Sequence, residues 1–194
     1  MLMVSGDPGR VEIELVCGLA CPACGEGLAR WGWARVRTVR GAGGASRQVR
    51  PRRARCRGCG RTHVLLGDDL LLRRRDEVAV IGSALVAHAA GEGHRPIAGR
   101  LGVPVATVRG WLRRFRLRAT VIAAFFTTWA LALVPGSDPP VSTGSEAGDA
   151  VEAVGMATRA AVIRFGPGSA WSRAARLSGG GLLSNTSCLW LTPS

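Results

Sequence analysis

Two copies of one short motif, Cys21-Pro-Ala-Cys24-Gly and Cys56-Arg-Gly-Cys59-Gly, carry the most specific chemistry in the sequence. A two-residue spacer lets both thiolates of a tight turn face one ion. The glycine that follows permits the backbone conformation that turns amide N–H groups toward the sulfurs. Four soft thiolates in a tetrahedron, at ~2.3 Å from the metal, select zinc over hard ions such as magnesium. One structural zinc on Cys21, Cys24, Cys56 and Cys59 is therefore the expected cofactor. With all four positions filled by protein, no place is left for water or substrate, so catalysis by the metal is not expected. A redox pair or an iron–sulfur centre is the alternative for matched cysteine pairs. Cys17 and His63 lie close enough to substitute as ligands, but they read better as a packed thiol and an outer neighbour of the site; Cys188 reads as a small apolar residue.

A second constellation lies downstream. The run from His94 to Arg113 fits a helix-turn-helix template position by position. Ala98 is the small residue where two helices cross, Gly102 is the turn residue, and Ile97, Leu101, Val103, Val108 and Trp111 lock the pair together. In that arrangement the second helix of the pair enters the major groove of DNA. Val105, Ala106, Arg109 and Arg113 are then the candidates for base contact, and either arginine can pair with guanine O6 and N7, worth ~1–3 kcal/mol of discrimination. Arg95, Arg100, Arg114, Arg116 and Arg118 are the candidates for phosphate contact, which adds affinity without sequence information. A solvated helix face is the alternative for each of these five.

The charge distribution supports a polyanionic partner. All 26 basic residues are arginine, and the formal net charge is +13. Residues 1 to 118 hold 22 arginines against 9 acidic residues, while residues 119 to 194 hold 4 against 4, so the whole surplus lies in the N-terminal part. Such a field draws in double-stranded DNA before other partners, though RNA and anionic lipid are attracted as well. Met1 to Gly9 has neither a basic nor an apolar signal region, so a cytoplasmic, nucleoid-associated protein with reduced cysteines is expected.

The elements that position these residues follow from periodicity. Val11 to Val16 and Trp31 to Arg40 alternate like strands, Gly41 to Ser46 has turn composition, Gln48 to Arg55 returns as a strand, and Val64 to Leu66 closes a small β unit. Arginines between residues 35 and 57 interleave there with Trp31 and Trp33, either as a second backbone-contacting surface or as a basic surface over packed tryptophans. Such a unit has little apolar core, so metal binding, on the order of 10 kcal/mol, must supply much of its folding free energy. From Asp76 the period turns helical: Val78, Ile81, Leu85 and Ala89 share a face, Pro96 marks a second helix, and Pro104 starts a third. Residues 119 to 134 are uncharged and apolar. At ~1.5 Å per residue they span ~24 Å, short of a bilayer, and predict a buried or dimer-forming helix. Pro135 to Gly148 reads as a flexible linker, and Asp149 to Phe165 as an amphipathic helix capped by Asp149.

From Cys21 to about Phe115 the order of parts resembles the N-terminal DNA-binding region of bacterial insertion-sequence transposases. The resemblance is carried by Cys21-Pro-Ala-Cys24-Gly, by the run from Arg52 through Cys56-Arg-Gly-Cys59-Gly to His63, and by Gly110-Trp-Leu-Arg-Arg-Phe115. The chain is similar still more to a family of short zinc-ribbon plus helix-turn-helix proteins in high-GC bacteria. The resemblance implies a region that directs a catalytic domain to the ends of a mobile element. In those transposases a long domain with three catalytic carboxylates follows. Here only Asp138, Glu146, Asp149 and Glu152 follow, without an alternating strand pattern, so no catalytic activity is expected.

The sequence thus predicts an α+β protein: a four-cysteine zinc ribbon over residues 10–70, a helix-turn-helix domain with an apolar trailing helix over 76–134, a linker over 135–148, and a short helical segment with a tail over 149–194. The expected function is non-catalytic DNA binding, transposase-like or associated with a mobile element, as a homodimer or beside a separate catalytic partner. The alternatives are an adaptor whose zinc ribbon and apolar helix bind protein partners, at a membrane or away from one, and an RNA-binding protein.

Overall fold

The computed structural model describes residues 2–5 and 19–184. The strand expected over residues 11 to 16, Cys17, Cys188 and the C-terminal tail lie outside the described residues. The architecture is α+β, with a small sheet region bearing the four cysteines followed by six helices among the described residues.

Six strands, β1 (Leu2–Val4), β2 (Leu28–Trp33), β3 (Arg37–Arg40), β4 (Ser46–Val49), β5 (Arg52–Cys56) and β6 (Thr62–Gly67), form two sheets. The larger has the order β1-β6-β5-β2, with β1 parallel to β6 and the other pairs antiparallel; β3 and β4 make a separate hairpin. The long strands expected over 31–40 and 48–55 are therefore both broken, and the breaks face each other. Pro51 has no N–H for a ladder, and its carbonyl instead accepts from Ala34 N at 2.8 Å, where the chain leaves one sheet for the other. The hairpin turns on a short 3-10 segment, Ala42–Gly44, with Gly43 and Gly44 at φ of 63° and 79°.

Apolar alternation in the strands builds two small clusters. Val4, Leu28, Ala54 and Leu65 pack with Cys21 and Cys56, and Val39 and Val49 of the hairpin pack with Leu66 and Leu70.

The helices are α1 (Val78–Ala89), α2 (His94–Leu101), α3 (Val105–Arg116), α4 (Ala119–Leu133), α5 (Glu146–Phe165) and α6 (Ala170–Leu177). They share one continuous core that runs from Leu71 to Leu183. α1 buries Val78, Ile81 and Leu85, as its period requires. α2 ends at Gly102, whose φ of 64° is the left-handed cap that a glycine takes at little cost. α3 and α4 meet at a bend of 66°.

α4 and α5 lie side by side and run in the same direction. Thr120 Oγ1 is 3.5 Å from Glu146 Oε1 at their starts, and Trp129 and Phe165 line one cavity near their ends. Ile122, Phe126 and Ala130 form a fully buried stripe on α4, and the small Ala150, Ala153, Ala157 and Ala160 on α5 let the axes approach closely. α5 begins earlier than its sequence indicated. Ser145 is the cap, accepting from Gly148 N at 3.0 Å, and Asp149 takes a different part: its carboxylate accepts from Thr143 N at 2.6 Å and from Ser142 Oγ at 3.1 Å, so it holds the connecting segment against the helix start.

Hairpin and helices are joined at the start of α1. Asp76 is 2% exposed and pairs with Arg40 Nε at 2.7 Å; Arg47 pairs with Glu77 at 3.0 Å and with Asp69. Backbone bonds run alongside, from Arg40 N to Arg75 O and from Glu77 N to Arg40 O, and the hairpin tip lies against α2. Among the described residues no single helix is long and apolar enough to cross a membrane.

Candidate functional site

The four cysteines come together because the register brings their turns together. Leu28, just after the first knuckle, pairs with Cys56 at the end of β5, so both Cys-x2-Cys turns project from one end of the sheet. In the first, Gly25 N donates to Cys21 O at 2.8 Å with Gly25 at φ 77°; in the second, Cys59 N donates to Cys56 Sγ at 3.4 Å and Gly60 sits at φ 70°. Gly58 lies where the knuckles abut, and a Cβ there would stand 2.7 Å from Glu26 Cγ.

The ligand atoms of Cys21, Cys24, Cys56 and Cys59 all lie within 4.8 Å of one another. Cys24 and Cys56 sulfurs are 3.4 Å apart, and those of Cys21 and Cys59 are 3.7 Å apart. Four convergent thiols fit one tetrahedral metal ion. His63 is buried with Nε2 3.5 Å from Cys21 Sγ, a hydrogen bond to a sulfur from outside the set of four. Burial foremost, with positive charge including Arg61, lowers its pKa and keeps the ring neutral, so it can donate one N–H.

The thiols differ electrostatically. For Cys56, burial pushes the pKa up, but the N–H groups of Cys59 and Gly58 and the Cys24 thiol outweigh it and bring the group down to about 6. For Cys24 the Glu26 N–H pulls down, yet the neighbouring Cys56 sulfur and burial raise it to about 11. Without metal the cluster therefore holds a thiolate and a thiol side by side, sharing a proton, a state that a divalent cation converts to thiolates.

Downstream, α2, a three-residue turn and α3 place the expected residues on two opposed faces. Val108, Trp111, Leu112 and Phe115 are buried, while Val105, Ala106, Arg109 and Arg113 are exposed. Arg109 and Arg113 line two adjoining shallow grooves, one with Ala106, Gly110 and Arg114, the other with His88, His94 and Arg116.

The five remaining arginines, alike in the sequence, divide in the structure. Arg95 and Arg116 are exposed and make no hydrogen bond or ion pair among the described residues. Arg100 pairs with Glu92 at 2.7 Å, and Arg114 donates to Gly110 O at 2.9 Å. Arg118 donates to the carbonyls of Gly181 and Ser184 and ties the start of α4 to the end of the described chain. Sequence reasoning also left the tryptophans of β2 unassigned. Each carries a guanidinium on its ring: Arg52 on Trp33 at 4.1 Å, and Arg55 on Trp31 at 4.5 Å.

Residues 21–97 match the family model described as a domain of unknown function, DUF6431. The match begins at the first cysteine of the cluster and ends inside α2, so it takes in the metal site, the hairpin and α1. No curated protein and no solved structure matches the chain.

Proposed function

We propose that the chain is a zinc-bearing, sequence-specific DNA-binding protein without a catalytic site of its own, of the kind that serves mobile elements. α2 and α3 form a helix-turn-helix, and α3 enters the major groove. The observation that carries this reading is the division of α3: one face is anchored in the core while Arg109 and Arg113, four residues apart, stand exposed on the other with Val105 and Ala106. Neither arginine has a hydrogen-bond or ion-pair partner among the described residues, so their planar N–H forks are open to base edges.

Bound by Cys21, Cys24, Cys56 and Cys59, zinc supplies a rigid tetrahedral crosslink between the two knuckles. Four thiolates favour zinc over hard cations. Arg95 and Arg116 contact the phosphates beside the groove. Arg100 and Arg114 reach them by exchanging Glu92 and the Gly110 carbonyl for phosphate oxygens, whereas Arg118 stays with its carbonyls as a structural tie.

Selection from a random duplex DNA library by the zinc-loaded protein tests this reading. One enriched motif is expected, relaxed in Arg109→Ala and kept, at lower affinity for every sequence, in Arg116→Ala. A library that shows no enriched motif, or a motif unchanged in both Arg109→Ala and Arg113→Ala, removes α3 as the reading element.

A further inference from the structure

The arginine–tryptophan stacks lie on β2 and β5, away from α3, and their arrangement depends on one glycine. Leu28, Ala29 and Arg30 pair with Cys56, Arg55 and Ala54 in regular register, but Trp33 pairs with Arg52, so β2 carries one extra residue between Arg30 and Trp33. Gly32 lies in that bulge at φ 90°, a conformation other residues resist. Without the bulge, Trp31 and Trp33 would share a face, being two apart. With it they part. Arg52 and Arg55 are three apart on β5 and so point to opposite faces, and each carries one of the tryptophans. Arg50 adds a second guanidinium over Trp33 at 5.6 Å.

The rings are not packed beneath the surface: Trp31 is 50% exposed and Trp33 is 38% exposed. β2 is also the edge of its sheet, so both faces can be approached from one side. A guanidinium lying on a ring uses its face for the ring and keeps its N–H edge for hydrogen bonds. Arg50 and Arg52 have no hydrogen-bond or ion-pair partner among the described residues, and Arg55 gives Gly60 O only its Nε. The result is a strand pair that carries a ring-supported guanidinium group on each face, the Arg55 one exposed and the Arg52 one half-buried.

We infer that this β2–β5 edge is a second nucleic-acid surface, one that grips the phosphate backbone of double-stranded DNA independently of base sequence. Two features favour duplex backbone over unpaired bases. One face of each ring is already occupied by a cation, and the rings lie on opposite faces, so they cannot form the continuous platform on which successive unpaired bases stack. A sheet edge that carries guanidinium groups on both faces can instead meet phosphates of a duplex backbone from either side. The inference rests on the proposed function only for the choice of DNA as the polyanion.

The test uses the full, zinc-loaded chain and a labelled duplex of arbitrary sequence, with affinity measured by anisotropy across a salt series. Each arginine–phosphate contact contributes about 0.9 to the slope of log affinity against log salt, so Arg52→Gln/Arg55→Gln is expected to make the slope shallower by about 2 and to weaken binding about tenfold or more at low salt. Trp31→Leu/Trp33→Leu keeps every charge and is still expected to weaken binding severalfold, because the forks lose their support. Arg52→Lys/Arg55→Lys, which keeps charge without the planar stack, should fall between wild type and the glutamine pair. A slope unchanged in the glutamine pair at full zinc content overturns the inference, as does a tryptophan pair that binds like wild type. Single-stranded DNA or RNA that displaces the labelled duplex better than unlabelled duplex also overturns it, in favour of base stacking. Arg109→Ala/Arg113→Ala keeps the two readings apart. If that variant loses its motif but retains the slope due to the β2–β5 edge, both surfaces stand. If the library gives no motif while the edge variants still lose binding, the edge stands and the α3 reading falls.

Discussion

Among the described residues the sheet buries Val4, Leu28 and Leu65 as its large apolar side chains around the cysteine end, whereas the helices share one core that holds Trp111, Phe115, Ile122 and Phe126. The same chain thus stabilises neighbouring regions in different ways. A cluster that small offsets little of the conformational entropy of ordering the four strands and their connections, so a crosslink through the four cysteines is expected to stabilise the sheet. The helices need none, because stripes at helical spacing sum over many buried contacts. The proposed function follows the same division: the sheet presents charge from a surface that a metal on the four cysteines would hold in shape, and the helical core fixes one face of α3 so that the other is exposed.

The largest effect that would break this comparison is removal of the crosslink. Cys21→Ser, or a strong chelator, is expected to release the metal and unfold the sheet while leaving most helical circular dichroism intact. Loss of helix and sheet together would show that the two regions are one cooperative unit. The site should also respond to pH. Cys24, held up at about 11, stays protonated through neutrality, so metal uptake must displace its proton; below about pH 6 Cys56 is protonated as well. Apparent zinc affinity, measured by competition with a chelator of known pH dependence, should therefore rise from about pH 5 to about pH 8, and a flat profile would contradict the shared-proton picture.

Phe126→Ala tests the other side. The ring is fully buried in the α4 stripe, and its truncation should cost about 3–5 kcal/mol of helical stability in denaturant melts while leaving metal content unchanged. Asp76→Asn falls next, and it is the change that bears on both regions. The buried carboxylate holds Arg40 of the hairpin at the start of α1, but Arg40 is about a third exposed, so the expected loss is about 1–3 kcal/mol rather than that of a fully buried pair. If the hairpin is held by this junction, its amide protons between residues 37 and 49 should exchange faster in the variant; unchanged protection there would place its anchorage in the Val39 and Val49 cluster instead.

Legibility in the sequence follows the same line between regions. The helices could be read because Val78, Ile81 and Leu85, and Val108, Trp111 and Phe115, repeat at the period of the element itself, with Gly102 and Pro104 as punctuation. The four cysteines could be read because the motif contains its own geometry. What stayed hidden depended on partners remote in sequence. Nothing local says that Trp31 and Trp33 are split by a bulge, since that is a property of the pairing with β5. Five arginines near α3 look alike until Glu92 and the carbonyls of Gly110 and Gly181 are seen to take three of them. The apolar run from 119 announced burial but not against what; its partner α5 is rich in alanine, which carries little periodic signal. The pairing of β1 with β6 had no signal either, being three residues of parallel strand.

The smallest expected effect concerns the connection between α4 and α5, which composition alone makes a flexible linker. Asp149 was the natural cap by sequence, but the helix starts three residues earlier at Glu146, and the carboxylate turns back onto Ser142 and Thr143. The Thr143 N–H foremost, with the Thr143 and Ser142 hydroxyls, holds the Asp149 carboxyl below its usual value of 3.8. A group whose pKa is lower in the folded chain stabilises the fold when ionised. That contribution is complete above the unfolded value and disappears as pH falls through the folded one. Asp149→Ala should therefore melt somewhat below wild type, by less than Asp76→Asn does, with a gap that is constant from neutrality to about pH 5 and narrows below about pH 4. If the gap persists at low pH, Asp149 acts through packing rather than charge. If there is no gap at any pH, the return segment is held by Ser145 and the α4–α5 contact alone, and the flexible linker read from its composition is the better description of residues 135–144.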